Sequence, residues 1–245
     1  MKNWNNDQQY ADYQVVGSTV QPLSKTFMAN VFLWMFGALA ISALVSFLFA
    51  TTPELIGSLI TEGKLNGLGM IVMFAPVGFV LLMSLGYNKL SAPVMGILFL
   101  LYAAITGISL SFVLLLYTAS SVAGCFVSAS AMFGVMAVMG YTTKQDLTSF
   151  GRILTMGLIG MVIAMLVNMF LHSGPLDLII SMVGVAVFTG LTAYDVQKLK
   201  RIGAGMEGVT AADARKMSIF GALTLYLDFI NLFLMLMRLF GRRRN

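Results

Sequence analysis

The amino-acid sequence predicts an all-α integral membrane protein, and three observations carry that class. Of the 245 residues, 58% are hydrophobic and only 10% charged, whereas a soluble domain carries about a quarter charged residues. Mean hydropathy is +0.88, so a water-soluble fold would lack the polar surface to cover its apolar bulk. Apolar runs of membrane-crossing length, about 20 residues, also follow one another along the chain.

Taken in order, the runs predict seven spans over residues 26–50, 67–87, 93–117, 120–140, 151–171, 176–197 and 218–240. Residues 1–25 are polar and lack the basic start and short apolar core of a cleaved leader. They read as a flexible cytoplasmic tail, with the first span as an uncleaved anchor, and residues 241–245 form a short basic tail. Pro53, Pro93 and Pro175 fall at span ends, where a missing N–H costs least. Pro76 lies inside the second span and predicts a kink. The connections at Thr118–Ala119 and His172–Pro175 are so short that each must join antiparallel neighbours. Ala103 with Gly107, and Gly157, Gly160, Ala164 and Gly184, have the spacing of small residues at helix contacts in lipid.

Loop charges predict the orientation. With a cytoplasmic amino terminus, Lys2, Lys25, Lys89, Lys144, Arg152, Lys198, Lys200, Arg201, Arg215 and Lys216 share one side. Before the last span the other side holds only Lys64, a strong positive-inside bias. Arg238 and Arg242–Arg244 run against it: the last segment either dips in and returns, or crosses and carries four arginines with it. The basic excess, 15 against 10 acidic residues, thus anchors loops and builds no nucleic-acid groove. The single cysteine, Cys125, permits no internal disulfide and reads as apolar packing. His172, alone at a span end, has no partners for a metal site.

Of ten acidic residues, Asp177 stands at the start of the sixth span and only Asp195 and Asp228 lie further within apolar spans, and no Lys or Arg lies deep in a span to pair with them. An ionised carboxylate in hydrocarbon costs about 2.5–3.5 kcal/mol on insertion scales. Such a pair shares a proton, lines a water-filled cavity or holds a cation; a purely structural tie is the alternative. Thr224, Asp228 and Asn231 share one helix face, and Thr189, Thr192 and Asp195 share another, with Tyr194 and Gln197 flanking. Two such polar stripes predict a common site in the bundle interior. Depth opposes this, because Asp195 lies three residues before Lys198 and Asp228 twelve after Lys216, a difference of roughly 13 Å. Contact requires the last helix to begin in the cytoplasm, or the sixth to sit deep with Lys198 snorkelling.

The strings GLTAYDVQKLK (190–200) and ALTLYLDFINLFLMLMR (222–238) closely resemble the Bax inhibitor-1, or transmembrane Bax inhibitor motif, family. MFGVMAVMGYTTKQDLTSFG (132–151) and FLLYAAITGISLS (99–111) fit its bacterial branch, and the likeness covers nearly all of the chain after residue 25. The resemblance implies a seven-helix inner-membrane bundle with the last helix central, wrapped by the other six. It implies a pH-sensitive calcium leak rather than an enzyme, sensed by a pair of aspartates. By motif, Asp195 is the aspartate of the YD-x-Q string and Asp228 that of LDFINLF. Some bacterial members latch this pair with an arginine of the second span, which here contains none.

Calcium takes six to eight oxygen ligands, and two carboxylates supply four at most. Thr192, Tyr194, Thr224, Asn231, water or backbone would complete a weak calcium site on Asp195 and Asp228, suited to permeation rather than storage. No tightly bound cofactor is expected. The alternative function is a regulatory protein that contacts a membrane protease or stress-response partner through residues 1–25, without moving ions. An intramembrane aspartyl protease would use two aspartates as well, but Asp195 follows Thr192, Ala193 and Tyr194, not a GxGD-type motif.

Overall fold

The computed structural model describes residues 4–61 and 64–244, with side chains from residue 26 onward. The side chains of Lys2, Asp7, Asp12 and Lys25, and the loop residue Glu62, lie outside the described residues. The described helices are α1 (Trp4–Thr51), α2 (Pro53–Gly57), α3 (Gly67–Leu85), α4 (Ala92–Leu116), α5 (Ala119–Thr142), α6 (Thr148–Leu171), α7 (Gly174–Ala204) and α8 (Ala211–Phe240). A two-stranded antiparallel hairpin, β1 (Ile60–Thr61) and β2 (Lys64–Leu65), joins α2 to α3. Seven helices are long and apolar enough to cross a membrane: α1 from Thr26, and α3 to α8. The chain is a multi-pass all-α membrane protein.

The surface is apolar where lipid would lie. Phe36, Leu44, Phe47, Phe74, Ile159 and Phe170 are all exposed, as expected when hydrocarbon replaces water around the bundle. The core gathers around α8, where Ala222, Leu225, Tyr226, Leu232 and Met237 are fully enclosed. A helix apolar all round is a core helix, and α8 packs directly on α1, α4, α5 and α7. The last helix is therefore central, but its sheath is chiefly four helices, not six. α3 packs chiefly on α4, and α6 chiefly on α7.

Small residues set the close contacts. A Cβ on Gly107 of α4 would collide with the α1 backbone at Ser42, and one on Gly140 of α5 with the α7 backbone at Ala193. Gly160 has nothing within 4 Å, so of the expected small-residue contacts it is the one that meets no neighbour. At Pro76, α3 continues unbroken. The missing proline N–H frees the Val72 carbonyl, which instead accepts from the Ser109 hydroxyl of α4 at 3.0 Å.

Three helices run further than their apolar segments. α1 extends back to Trp4 through the polar leading segment, because lengthening an existing helix avoids the cost of nucleation. α7 continues to Ala204. α8 begins at Ala211, where the Thr210 side chain accepts from the Asp213 N–H at 3.1 Å, the usual satisfaction of an orphan helix-start donor. α8 then runs 30 residues, about 45 Å, and crosses without turning back. Its end meets the α4–α5 turn. Thr118 N–H donates to the Arg242 carbonyl at 3.0 Å and Arg244 N–H to the Leu116 carbonyl at 2.9 Å, forming an antiparallel bridge of Tyr117 with Arg243. The terminal arginines therefore lie on the face opposite the lysine-rich loops.

Candidate functional site

Asp195 and Asp228 meet between α7 and α8. Two contacts set the antiparallel register: a Cβ on Gly221 would strike Leu199, and one on Gly184 would strike Met235. Asp195 lies four residues along α7 from Leu199, and Asp228 seven along α8 from Gly221. The offset is three residues, about 4.5 Å, less than one helical turn. The depth conflict disappears because α8 starts outside the apolar layer and Leu199, close to the basic residues, is level with Gly221 well inside α8. The two carboxyls are near enough to act on each other, and a hydrogen bond between them would require a proton on one.

Both acids are buried, Asp195 at 8% and Asp228 at 5% exposure. Asp228 Oδ2 has no N–H or O–H donor among the described residues. Lys198, three residues after Asp195, is the cation whose charge acts on it. Both line a cavity of about 150 Å³ with Tyr87, Phe220 and Thr224, so Asp195 is reached from the lysine-rich face. Tyr87 and Phe220 pack edge to face at 5.2 Å, and the Lys216 ammonium lies 4.5 Å from the Tyr87 ring centre. Tyr87 and Phe220 line the cavity itself.

Beyond Asp228 the interior is aromatic. Phe229 packs edge to face on Phe126 and on Phe133, each at 5.6 Å. On the far side a second cavity, about 330 Å³, is lined by Leu39, Ser42, Ser46, Phe126, Phe229 and Phe233 among others. The acid pair and the phenylalanine cluster thus stand between these two cavities.

Among the other polar residues expected at the site, Thr224 lines the cavity with Asp195. Thr192 and Thr224 hydroxyls donate to the carbonyls of Phe188 and Phe220 in their own helices, at 2.8 and 3.2 Å. The Tyr194 ring covers Gly151 of α6 and lies 5.9 Å from the Lys198 ammonium. Asn231 is partly exposed and makes no side-chain hydrogen bond among the described residues. Thr189 Oγ1 is buried and has no hydrogen-bond partner among the described residues. Gln197 serves the adjoining loop, donating to the Gln145 carbonyl at 2.7 Å and accepting from Leu147 N–H at 2.9 Å. Arg201 completes that clamp through a 2.8 Å ion pair with Asp146. Hydrogen bonds from the Thr148 side chain and backbone, with Arg201, hold the Asp146 carboxyl down at about 2.

Two groups of residues escape a reading of the sequence. Lys198 counts there as a loop anchor, yet α7 continues past it; its i, i+3 spacing from Asp195 was the available signal. On the opposite face of α8, Ser42 bonds the Ala103 carbonyl at 2.7 Å, and its oxygen lies 2.7 Å from the Tyr226 hydroxyl. Thr106 adjoins Tyr226 and Tyr102. Single Ser, Thr and Tyr residues in three separate spans carry no pattern that would single them out.

Seven spans, the last of them central, with an acid pair enclosed between the last two, define a polytopic α-helical membrane protein with an interior protonatable site. The chain belongs to the Bax inhibitor-1 family: the family model described as "Inhibitor of apoptosis-promoting Bax1" matches residues 24–245. It is 47% identical to "Inner membrane protein YbhL" of Escherichia coli (strain K12) over 93% of this chain and 97% of that protein. An uncharacterised protein of Rickettsia prowazekii is 48% identical over 74% of this chain and 75% of its own length. One of Deinococcus radiodurans is 40% identical over 89% and 91%.

Proposed function

We propose that this protein is a pH-sensitive, calcium-permeable leak of the bacterial inner membrane, gated by Asp195 and Asp228, with its amino terminus in the cytoplasm. One observation carries the reading: two buried carboxyls are close neighbours between α7 and α8, and one of them opens onto a cavity at the lysine-rich face. With one proton the acids bond to each other and α7 is tied to α8. Loss of that proton leaves two like charges that repel and a four-oxygen site that attracts a divalent cation. Calcium bound so sparsely is held weakly, as passage requires. No arginine latch contributes, since α3 carries none and packs chiefly on α4. Lys198 is the nearby cation, and it weakens the pull on calcium while the pair is closed.

Calcium flux into proteoliposomes, followed across neutral pH, tests the reading. Flux should rise with pH in the wild type, because proton loss opens the tie and supplies the charge. Asp195→Asn and Asp228→Asn should each flatten that dependence. A wild-type profile in both variants, with folding intact, removes the ion pathway and leaves the interaction role of residues 1–25 as the working reading.

A further inference from the structure

The carboxyl end of α8 presents an unexplained charge. Arg238, Arg242, Arg243 and Arg244 stand on the face that otherwise carries only Lys64, against the usual distribution of basic residues. They are not a loose solvated run. The backbone bonds to Leu116 and Thr118, with Arg242 N–H donating to the Ser121 hydroxyl at 3.0 Å, hold this segment against the α4–α5 turn. That tie directs Arg243 into a cavity of about 400 Å³ shared with Arg238, Tyr117, Asn168 and Asp177.

The cavity has spare positive charge. Asp177 is its one acid, and it meets Arg238 through a single, long contact of 3.5 Å. A guanidinium has five N–H donors, so most of those on Arg238 remain available. Arg243 has no side-chain hydrogen bond or ion pair among the described residues. Tyr117 and Arg238 also border a second, apolar groove of about 490 Å³ with Leu65, Met73, Phe112 and Leu234. A forked cationic site at the end of a membrane span, continuous with an apolar groove in the span, has the two halves of a phospholipid site: guanidinium pairs fit phosphate oxygens, and the groove fits an acyl chain.

We propose that the Arg238–Arg243 cavity binds the phosphodiester headgroup of a membrane phospholipid, with one acyl chain along the α3–α4–α8 groove. The lipid neutralises the arginines that the last span carries across, and it ties the end of α8 to the bilayer surface. This site is separate from the acid pair and stands or falls independently of ion passage.

The test uses the full chain, delipidated in detergent and titrated with dioleoyl-phosphatidylglycerol, dioleoylglycerol or sodium phosphate. Native mass spectrometry counts retained lipid, and the thermal unfolding midpoint reports linkage. Phosphatidylglycerol should be retained and should raise the midpoint, while dioleoylglycerol and millimolar phosphate do neither. Arg243→Gln, an exposed change that leaves the lipid-free midpoint near wild type, should weaken phosphatidylglycerol binding about tenfold, the loss expected of one charge-assisted contact. Lys64→Gln on the same face should not. Undiminished binding by Arg243→Gln, equal stabilisation by dioleoylglycerol, or full displacement of the lipid by phosphate would each overturn the proposal.

Discussion

Buried polar atoms without water must find partners in the protein, and single residues here show how that demand is met. The Ser42 hydroxyl has the Ala103 and Ala38 carbonyls as acceptors at 2.7 and 3.0 Å, and the Tyr226 hydroxyl lies 2.7 Å from its oxygen, where it can donate. Ser42→Ala takes this partner from the buried Tyr226 hydroxyl and should lower stability by about 1–3 kcal/mol, measured by thermal or denaturant unfolding in detergent. Asp228 is less well satisfied, and a carboxyl with one bare oxygen beside a second carboxyl is where proton exchange should have the largest structural effect. Asp146 provides the contrast. Its folded value lies at about 2, below the ordinary carboxylate value of about 3.9, so its tie to Arg201 is complete above the ordinary value. The tie is lost only as pH falls through the folded one. Asp146→Asn should therefore leave the pH profile of calcium flux unchanged around neutrality. If that substitution abolished the profile, the sensor would be the loop clamp and not the acid pair.

Elements hold the pair in register. α7 is pressed onto α5 at Gly140 and covered by α6 through Gly151, so the backbone around Ala193 and Tyr194 has no room to shift outward. Gly140→Val should force α5 off α7 at a cost of about 1–3 kcal/mol and alter flux, because Asp195 is two residues from the contact. Gly160→Val, with open space around it, should have little effect on either unfolding or flux. The phenylalanine cluster is the other fixed point. Phe229→Ala should cost about 3–5 kcal/mol as a core truncation. It should also raise calcium leak in proteoliposomes, since the barrier between the acid pair and the 330 Å³ cavity is apolar there. A loss of stability with no rise in leak would confine Phe229 to packing.

At the scale of the molecule, an odd number of crossings places the two ends of the bundle core on opposite faces. In a Cys125→Ser background, Lys200→Cys and Arg244→Cys should react with an impermeant maleimide from opposite sides of sealed vesicles. Reaction from the same side would mean that α8 does not cross. The sequence determined the class, the number of spans and the two intramembrane acids, because insertion in a bilayer depends on apolar length and charge, and both are local properties of the chain. It also isolated Asp195 and Asp228 by exclusion, since ten acidic residues leave only two in hydrocarbon. Residues 176–197 and 218–240 misled on depth, because apolarity marks where lipid begins and does not mark where a helix ends. Only the tertiary structure decided that α8 starts before the apolar layer and brings the acids within one turn. It alone decided that Lys198 faces Asp195, that four helices sheathe α8, and that the terminal arginines lodge against the α4–α5 turn. Each of these depends on contacts between residues far apart in the chain, which composition and periodicity do not encode.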